Sequence, residues 1–183
     1  MNLQKEINRR NKLWKSATKA ERKILVAKDV LAQIKKGKFV AKSQMWAGIP
    51  ISEEESEKET LDTQKVLLNA KKCECCAIGS VMLSCIAFKN SHQSKRGLQY
   101  LGSYAMIRKV YLEDIPEDLS TLKGVFSKKE IREMEMAFEC GAGANIPDDI
   151  RERKISQMYE DMSDKTRLIK IMENVIEHGG FKP

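Results

Sequence analysis

Cys73, Cys75, Cys76 and Cys85 crowd the middle of the chain, and four thiolates are enough to enclose a tetrahedral zinc. Their spacing argues against that use. Structural zinc sites space paired ligands as C-x-x-C, so that one turn presents both sulfurs, whereas here Cys-x-Cys-Cys is followed nine positions later by Cys85. On one continuous helix Cys76 and Cys85 would stand about 13 Å apart at ~1.5 Å rise per residue, too far to share a metal. A thiol nucleophile also needs a base, and the only histidines are His92, in a predicted loop, and His178, at a predicted helix end where the dipole favours a cation. The chain holds no H-E-x-x-H, no Walker G-x-x-x-x-G-K-[ST], no G-x-S-x-G and no G-x-G-x-x-G, and Gly141-Ala142-Gly143 is accounted for by a helix stop. The cysteines are therefore expected to be small buried hydrophobes, with no metal site, no cofactor and no catalysis. A metal- or thiol-dependent enzyme stands as an alternative.

Cations give the stronger chemical signal. Arg9, Arg10, Lys12, Lys15, Lys19, Arg22 and Lys23 fall within fifteen residues, Lys35, Lys36, Lys38 and Lys42 extend that stripe, and Lys71, Lys72, Lys95 and Arg96 form a second group. Gathered on one side, such residues neutralise several phosphates and make binding strongly salt-dependent. No helix carries a DNA-reading signature, so base-specific readout is not expected. Two Trp, four Tyr and five Phe leave few aromatic platforms for stacking single-stranded bases once a core is built. The net charge of +7 also conceals a division: residues 1–46 carry 13 Lys and Arg against 3 Asp and Glu, while residues 112–183 carry 11 against 16. Such asymmetry points to a partner that is anionic or presents both signs, such as nucleic acid or a nucleoprotein; the plain alternative is a solvated lysine-rich surface.

The elements that must position these residues read as helices. Leu3, Ile7 and Trp14 recur at near-helical spacing from Leu3 to Ala17 among many cations. Thr18-Lys19-Ala20-Glu21 has the form of a capping box, Ile24, Ala27, Leu31 and Ile34 follow at helical spacing, and Gly37 supplies a left-handed stop. Residues 39–41 and 45–47 could pair as a small hairpin. The acidic run Glu53-Glu54-Glu55 reads as a linker, residues 61–70 as a short helix, and Cys75 to Phe88 as a central helix apolar nearly all round. Asn90 to Gly97 looks like a basic loop, and residues 98–112 show no clean period. Ser127-Lys128-Lys129-Glu130 repeats the capping box, with Phe126 and Ile131 as a hydrophobic staple and Gly141 and Gly143 beyond the helix. Two more helices are expected from Asp148 to Met162 and from Asp164 to His178, the last with Leu168, Met172, Val175 and Ile176 on one side and Gly179-Gly180 as its stop.

The expected fold class is mainly α, a helical bundle or orthogonal helical domain with a small β-hairpin near residues 38–48. Residues 1–50 form a basic helical region, 51–64 an acidic linker and 65–183 a helical core domain, all within reach of a single domain at 183 residues. The longest apolar run is too short to cross ~30 Å of hydrocarbon, and the start lacks a signal-peptide stretch, so the chain is expected to be soluble, unexported and without a membrane partner. An odd count of five cysteines, three crowded together, suits free thiols and a cytoplasmic location.

Three stretches carry a resemblance: LWKSATKAERKILVAKDVLAQIKKGKFVAKSQMW from Leu13 to Trp46, CECCAIGSVMLS from Cys73 to Ser84, and RLIKIMENVIEHGGFKP from Arg167 to Pro183. They resemble a group of small proteins of phages and other mobile elements, among them a gut-metagenome anti-CRISPR family that inhibits the type II RNA-guided nuclease. The resemblance implies a non-enzymatic inhibitor whose partner is the effector nuclease with its guide RNA, and which blocks target DNA binding or cleavage. It assigns no contact residue position by position. A phage or plasmid nucleic-acid-binding accessory protein is the other reading.

Overall fold

Thr18 closes its capping box in both directions. Its hydroxyl accepts from the Glu21 amide at 3.3 Å, and the Glu21 carboxylate accepts from the Thr18 amide at 2.7 Å. The computed structural model describes residues 2–43, 47–48, 60–89, 93–94, 122, 124–139 and 149–183. In it this cap starts α2 (Lys19–Lys35), preceded by α1 (Leu3–Ser16). Gly37, at φ 71°, supplies the left-handed stop. The chain continues through β1 (Phe39–Ala41), β2 (Ala47–Gly48), β3 (Thr60–Leu61), α3 (Thr63–Asn69), β4 (Cys73–Cys75), α4 (Ala77–Phe88), β5 (Gln93–Ser94), α5 (Lys128–Glu139), α6 (Ile150–Gln157) and α7 (Asp164–His178). The protein is mainly helical with a small β element. No helix among the described residues is long and apolar enough to cross a membrane.

Every residue of α4 is buried, so this helix has no solvent-facing stripe, and α1, α2, α3 and α5 pack around it. Its small residues let neighbours approach closely, and its two buried hydroxyls are both used: Ser80 donates to the Ala77 carbonyl at 2.7 Å and Ser84 to Asp29 Oδ2 at 2.8 Å. α7 lies along α2 and against α5. One core runs from Trp14, Val30 and Ile34 through Leu67, Val81 and Leu83 to Phe126, Phe138, Leu168 and Ile171, so the basic N-terminal helices and the later helices share it.

The second capping box is also present. Ser127 Oγ accepts from the Glu130 amide, Glu130 accepts from the Ser127 amide, and the stapling pair Phe126 and Ile131 is buried. At the far end Gly179 adopts φ 68°. Asn174 then clamps the tail by donating to the Lys182 carbonyl and accepting from the Lys182 amide, both at 2.8 Å, which seats Phe181 in the core. Gly180 passes so close to Glu130 that a side chain there would collide with that carboxylate.

Four expectations are corrected. Strands β1 and β2 do not pair as a hairpin: β4 lies between them, parallel to β1 with Phe39 opposite Cys73 and antiparallel to β2 with Ala47 opposite Cys75. Cys75 therefore belongs to a strand, and Cys76 is the N-cap of α4, its sulfur accepting from the Gly79 amide at 3.4 Å. A three-residue strand is shorter than any window in which alternation can be read, and its apolar residues run into those of the helix. The buried side of α2 is Val26, Ala27, Val30 and Ile34, with Ile24 and Leu31 at its margins. Helix α6 starts from Asp149, whose carboxylate accepts from the Glu152 amide, and ends at Gln157 rather than Met162. β3 pairs with β5 antiparallel. Met45, Trp46, the acidic run at 51–59, most of the 90–97 stretch, residues 98–112, Gly141 and Gly143 lie outside the described residues.

Candidate polyanion-binding face

The thiols occupy positions that suit packing. Cys73 and Cys75 are alternate residues of β4, both buried, Cys76 caps α4, and Cys85 lies further along that helix, fully buried. Burial pushes the Cys73 thiol up to about 11 and the Cys76 thiol to about 12, and drives Cys75 and Cys85 upward as well. Such groups stay protonated, the opposite of what a nucleophile or metal ligand requires. Among the described residues no group of three or more His, Cys, Asp and Glu is placed to hold a metal ion. His178 Nδ1 lies 3.0 Å from the Asn174 carbonyl at the end of α7, and His92 is outside the described residues. These four thiols are expected to react with an aromatic disulfide reagent only as fast as the protein unfolds. Rapid labelling of any of them in the native state, located by mass spectrometry, would contradict their placement.

The cations separate into three sets. Arg10 is buried, bonded to Glu6 at 2.8 Å and to Asp29 at 2.7 Å, and its charge is spent inside the fold. Lys23 meets Glu130 at 2.6 Å beneath the Gly180 turn, and Arg22 donates to the Trp14 carbonyl at 3.0 Å with its guanidinium over the Trp14 ring. The second set gathers where β1 meets β4. The Cys73 amide donates to the Lys38 carbonyl, Lys38 Nζ donates to the Leu68 carbonyl at 3.0 Å, and Lys42 and Lys72 share Glu74 at 3.1 and 3.7 Å. Lys35, Lys36 and Lys71 are exposed nearby in sequence, at the ends of α2 and α3. Strand pairing thus joins Lys38 and Lys42 to the Lys71 group rather than to the N-terminal stripe. Helix C-termini favour cations, so this set has a structural reason to exist. Lys95 and Arg96 lie outside the described residues.

The third set is the outward side of α1. Ile7, Arg10 and Trp14 turn inward, which leaves Lys5, Asn8, Lys12 and Lys15 exposed on the opposite side, with Lys19 following at the start of α2. None of these four lysines has an ion-pair partner among the described residues, whereas Arg9 is held by Glu6 at 2.7 Å. Arg9 and Arg10 hold the Glu6 carboxyl at about 2 despite its burial, so it stays ionised and engaged. A shallow depression lies along the helix between Asn8, Asn11, Lys12, Lys15 and Ser16. One of its amides, Asn11, has its polarity fixed from the core. The Gln64 NH2 donates to the Ala87 carbonyl at 2.9 Å and to Asn11 Oδ1 at 3.0 Å, and the Gln4 NH2 donates to Asn8 Oδ1 at 3.1 Å. The Asn11 oxygen is engaged by Gln64, which leaves its NH2, with the Lys12 and Lys15 ammoniums, as the donors beside the depression. The sequence alone singles out Lys12, Lys15 and Lys19 but not Lys5, Asn8 or Asn11; the seven-residue step from Lys5 to Lys12 is the signal that could have found the first of these.

No protein-family model, curated protein or solved structure matches this chain.

Away from that side, α5 carries a titratable carboxyl of another kind. Burial, with Glu139 adding repulsion, lifts Glu135 to about 7 from an ordinary 4.5. The folded protein therefore holds this proton between 4.5 and 7 while the unfolded chain has lost it, and stability falls as pH rises through that window. Glu135→Gln is neutral throughout and is expected to be the more stable protein at about pH 8, by roughly 2 kcal/mol, with little difference near pH 4.5. Urea titrations at both pH values read this out; an equal difference at both would contradict it.

Proposed function

We propose that the protein works by binding rather than by catalysis, as an inhibitor of a type II RNA-guided nuclease carrying its guide RNA. The observation that carries the binding part is the outward side of α1, where Lys5, Lys12 and Lys15 stand without acidic partners among the described residues beside a donor-lined depression. Lys15, in the last turn of α1, suits the helix dipole, but two other lysines of this side do not. Lys5 sits in the first turn of α1 and Lys19 is the first residue of α2, positions where the helix dipole opposes a positive charge. A guided nuclease offers RNA phosphate beside a lysine- and arginine-lined DNA channel, a surface on which a chain of divided charge finds complements.

The nuclease itself is proposed from the sequence resemblance. The three stretches that carry it contain the last turn of α1 with α2 and β1, β4 with most of α4, and most of α7, so they are mainly packed scaffold and reach the α1 side only at Lys15, Ser16 and Lys19. The buried, protonated thiols favour the binding reading over a thiol enzyme. The test is a pull-down with a type II effector, with and without guide RNA, alongside binding to bare duplex DNA. Saturable binding that requires the guide, with little affinity for bare DNA, is the expected result. Bare-DNA binding with no effector binding would replace this reading with that of an accessory nucleic-acid-binding protein, for which the same lysines serve.

A further inference from the structure

We infer that the depression on α1 seats backbone phosphates of the guide RNA and is blind to base identity; this deepens, and rests on, the reading of the protein as a partner of the guided nuclease. Acceptors and donors are sorted here in a way that selects anions. Gln64 is anchored by the Ala87 carbonyl, which can only accept, and it therefore turns its NH2 toward Asn11. That contact takes the Asn11 oxygen and leaves the Asn11 NH2 for a ligand that accepts. The exposed Gln4–Asn8 pair has no such anchor, so the sorting rests on Asn11. The Ser16 hydroxyl donates back to the Lys12 and Leu13 carbonyls, so its hydrogen is not offered to a ligand and the donors that remain are the Asn11 amide and the lysines.

The remaining groups are ammoniums in a row. From Lys5 to Lys15 the helix advances roughly 15 Å, long enough to run past several successive phosphates of one strand. Among the described residues this side offers no stacking platform: Trp14, the aromatic residue of α1, is buried, stacked on Phe88 with ring centroids 5.8 Å apart. Amide and ammonium donors without an aromatic platform read the sugar-phosphate chain and not the bases. An acidic protein surface is a poorer occupant, because the row pairs carboxylates only where they happen to recur along it, whereas phosphates recur along any strand.

The experiment measures dissociation constants at two salt concentrations for wild type, Asn11→Asp and Lys12→Gln/Lys15→Gln, against the isolated guide RNA, the effector without guide, and the assembled complex. Asn11→Asp keeps the oxygen that Gln64 needs and replaces the outward donor with a second oxygen, so the helix is retained, as circular dichroism and melting would verify. With about three phosphates engaged, doubling the salt is expected to weaken wild-type binding roughly four- to eightfold. Lys12→Gln/Lys15→Gln is expected to bring that dependence down to roughly twofold or less. Both variants are expected to lose affinity by similar factors for isolated guide RNA and for the complex, and guides of unrelated sequence to bind alike. Equal binding of wild type and both variants to the complex, or equal weakening toward the guide-free effector with no binding to RNA, would overturn the phosphate seat while leaving the inhibitor reading intact. Conversely, variant-sensitive binding to guide RNA without any binding to the complex would sustain the phosphate seat and remove the inhibitor reading.

Discussion

Asp29→Ala is expected to cost about 3–5 kcal/mol, the largest loss of stability from any single charged residue described. Asp29 is 8% exposed and receives three donors, from Arg10 at 2.7 Å, Gln33 at 2.9 Å and Ser84 at 2.8 Å. Through them α1, α2 and α4 meet at one carboxylate. Arg10 lies over Phe88, its guanidinium carbon 4.9 Å from the ring centroid, and one of its terminal nitrogens, Nη1, has no hydrogen-bond partner. Removing Asp29 leaves that guanidinium buried with only Glu6, which Arg9 also claims. The buried network is weak support for stability in itself, since desolvating its charges offsets much of their attraction. Its contacts tie one residue of α1, Arg10, to one residue of α2, Asp29. Accordingly, Arg10→Met combined with Asp29→Leu is expected to recover most of the loss. Urea denaturation of the three proteins tests both statements, and a cost below about 1 kcal/mol for Asp29→Ala would show that the network contributes little.

Stability and binding should move in opposite directions when Lys5 and Lys19 are both replaced by glutamate. Each substitution puts an anion in the first turn of a helix, where the dipole favours it, and the new carboxylate in α1 would also stand four residues before Arg9. The melting temperature is expected to rise by roughly 1–4 °C. Binding to an RNA-bearing partner should weaken by roughly tenfold or more, since two attractive contacts become repulsive. A rise in melting temperature with binding unchanged would mark these lysines as ordinary solvated surface. A fall in melting temperature would mean that they support the fold.

What can be read from the sequence is local. Thr18 to Glu21 and Ser127 to Glu130 each place both halves of a cap within four residues, and both boxes form, as does the left-handed stop at Gly179. What cannot be read depends on distant partners. Arg10 looks like one more surface cation because Asp29 is nineteen residues away, and Lys23 does so because Glu130 is 107 residues away. The β1–β4 pairing moves Lys38 and Lys42 to the Lys71 group for the same reason. The candidate site is legible as a concentration of charge. Its polarity is not, since the orientation of Asn11 is set by Gln64, which is set in turn by a carbonyl of α4.

The proposed inhibition of a guided nuclease through the outward side of α1 has its sharpest test in target DNA cleavage by a type II effector loaded with guide RNA. The protein and its Lys5→Glu/Lys12→Glu/Lys15→Glu variant would be titrated in parallel, after both are shown to melt at similar temperatures. The expected result is loss of cleavage near one protein per effector for the wild type, and full cleavage at the same ratio with the variant. Undiminished cleavage at saturating wild-type protein would contradict the inhibitor reading, and equal inhibition by the two proteins would remove α1 from it.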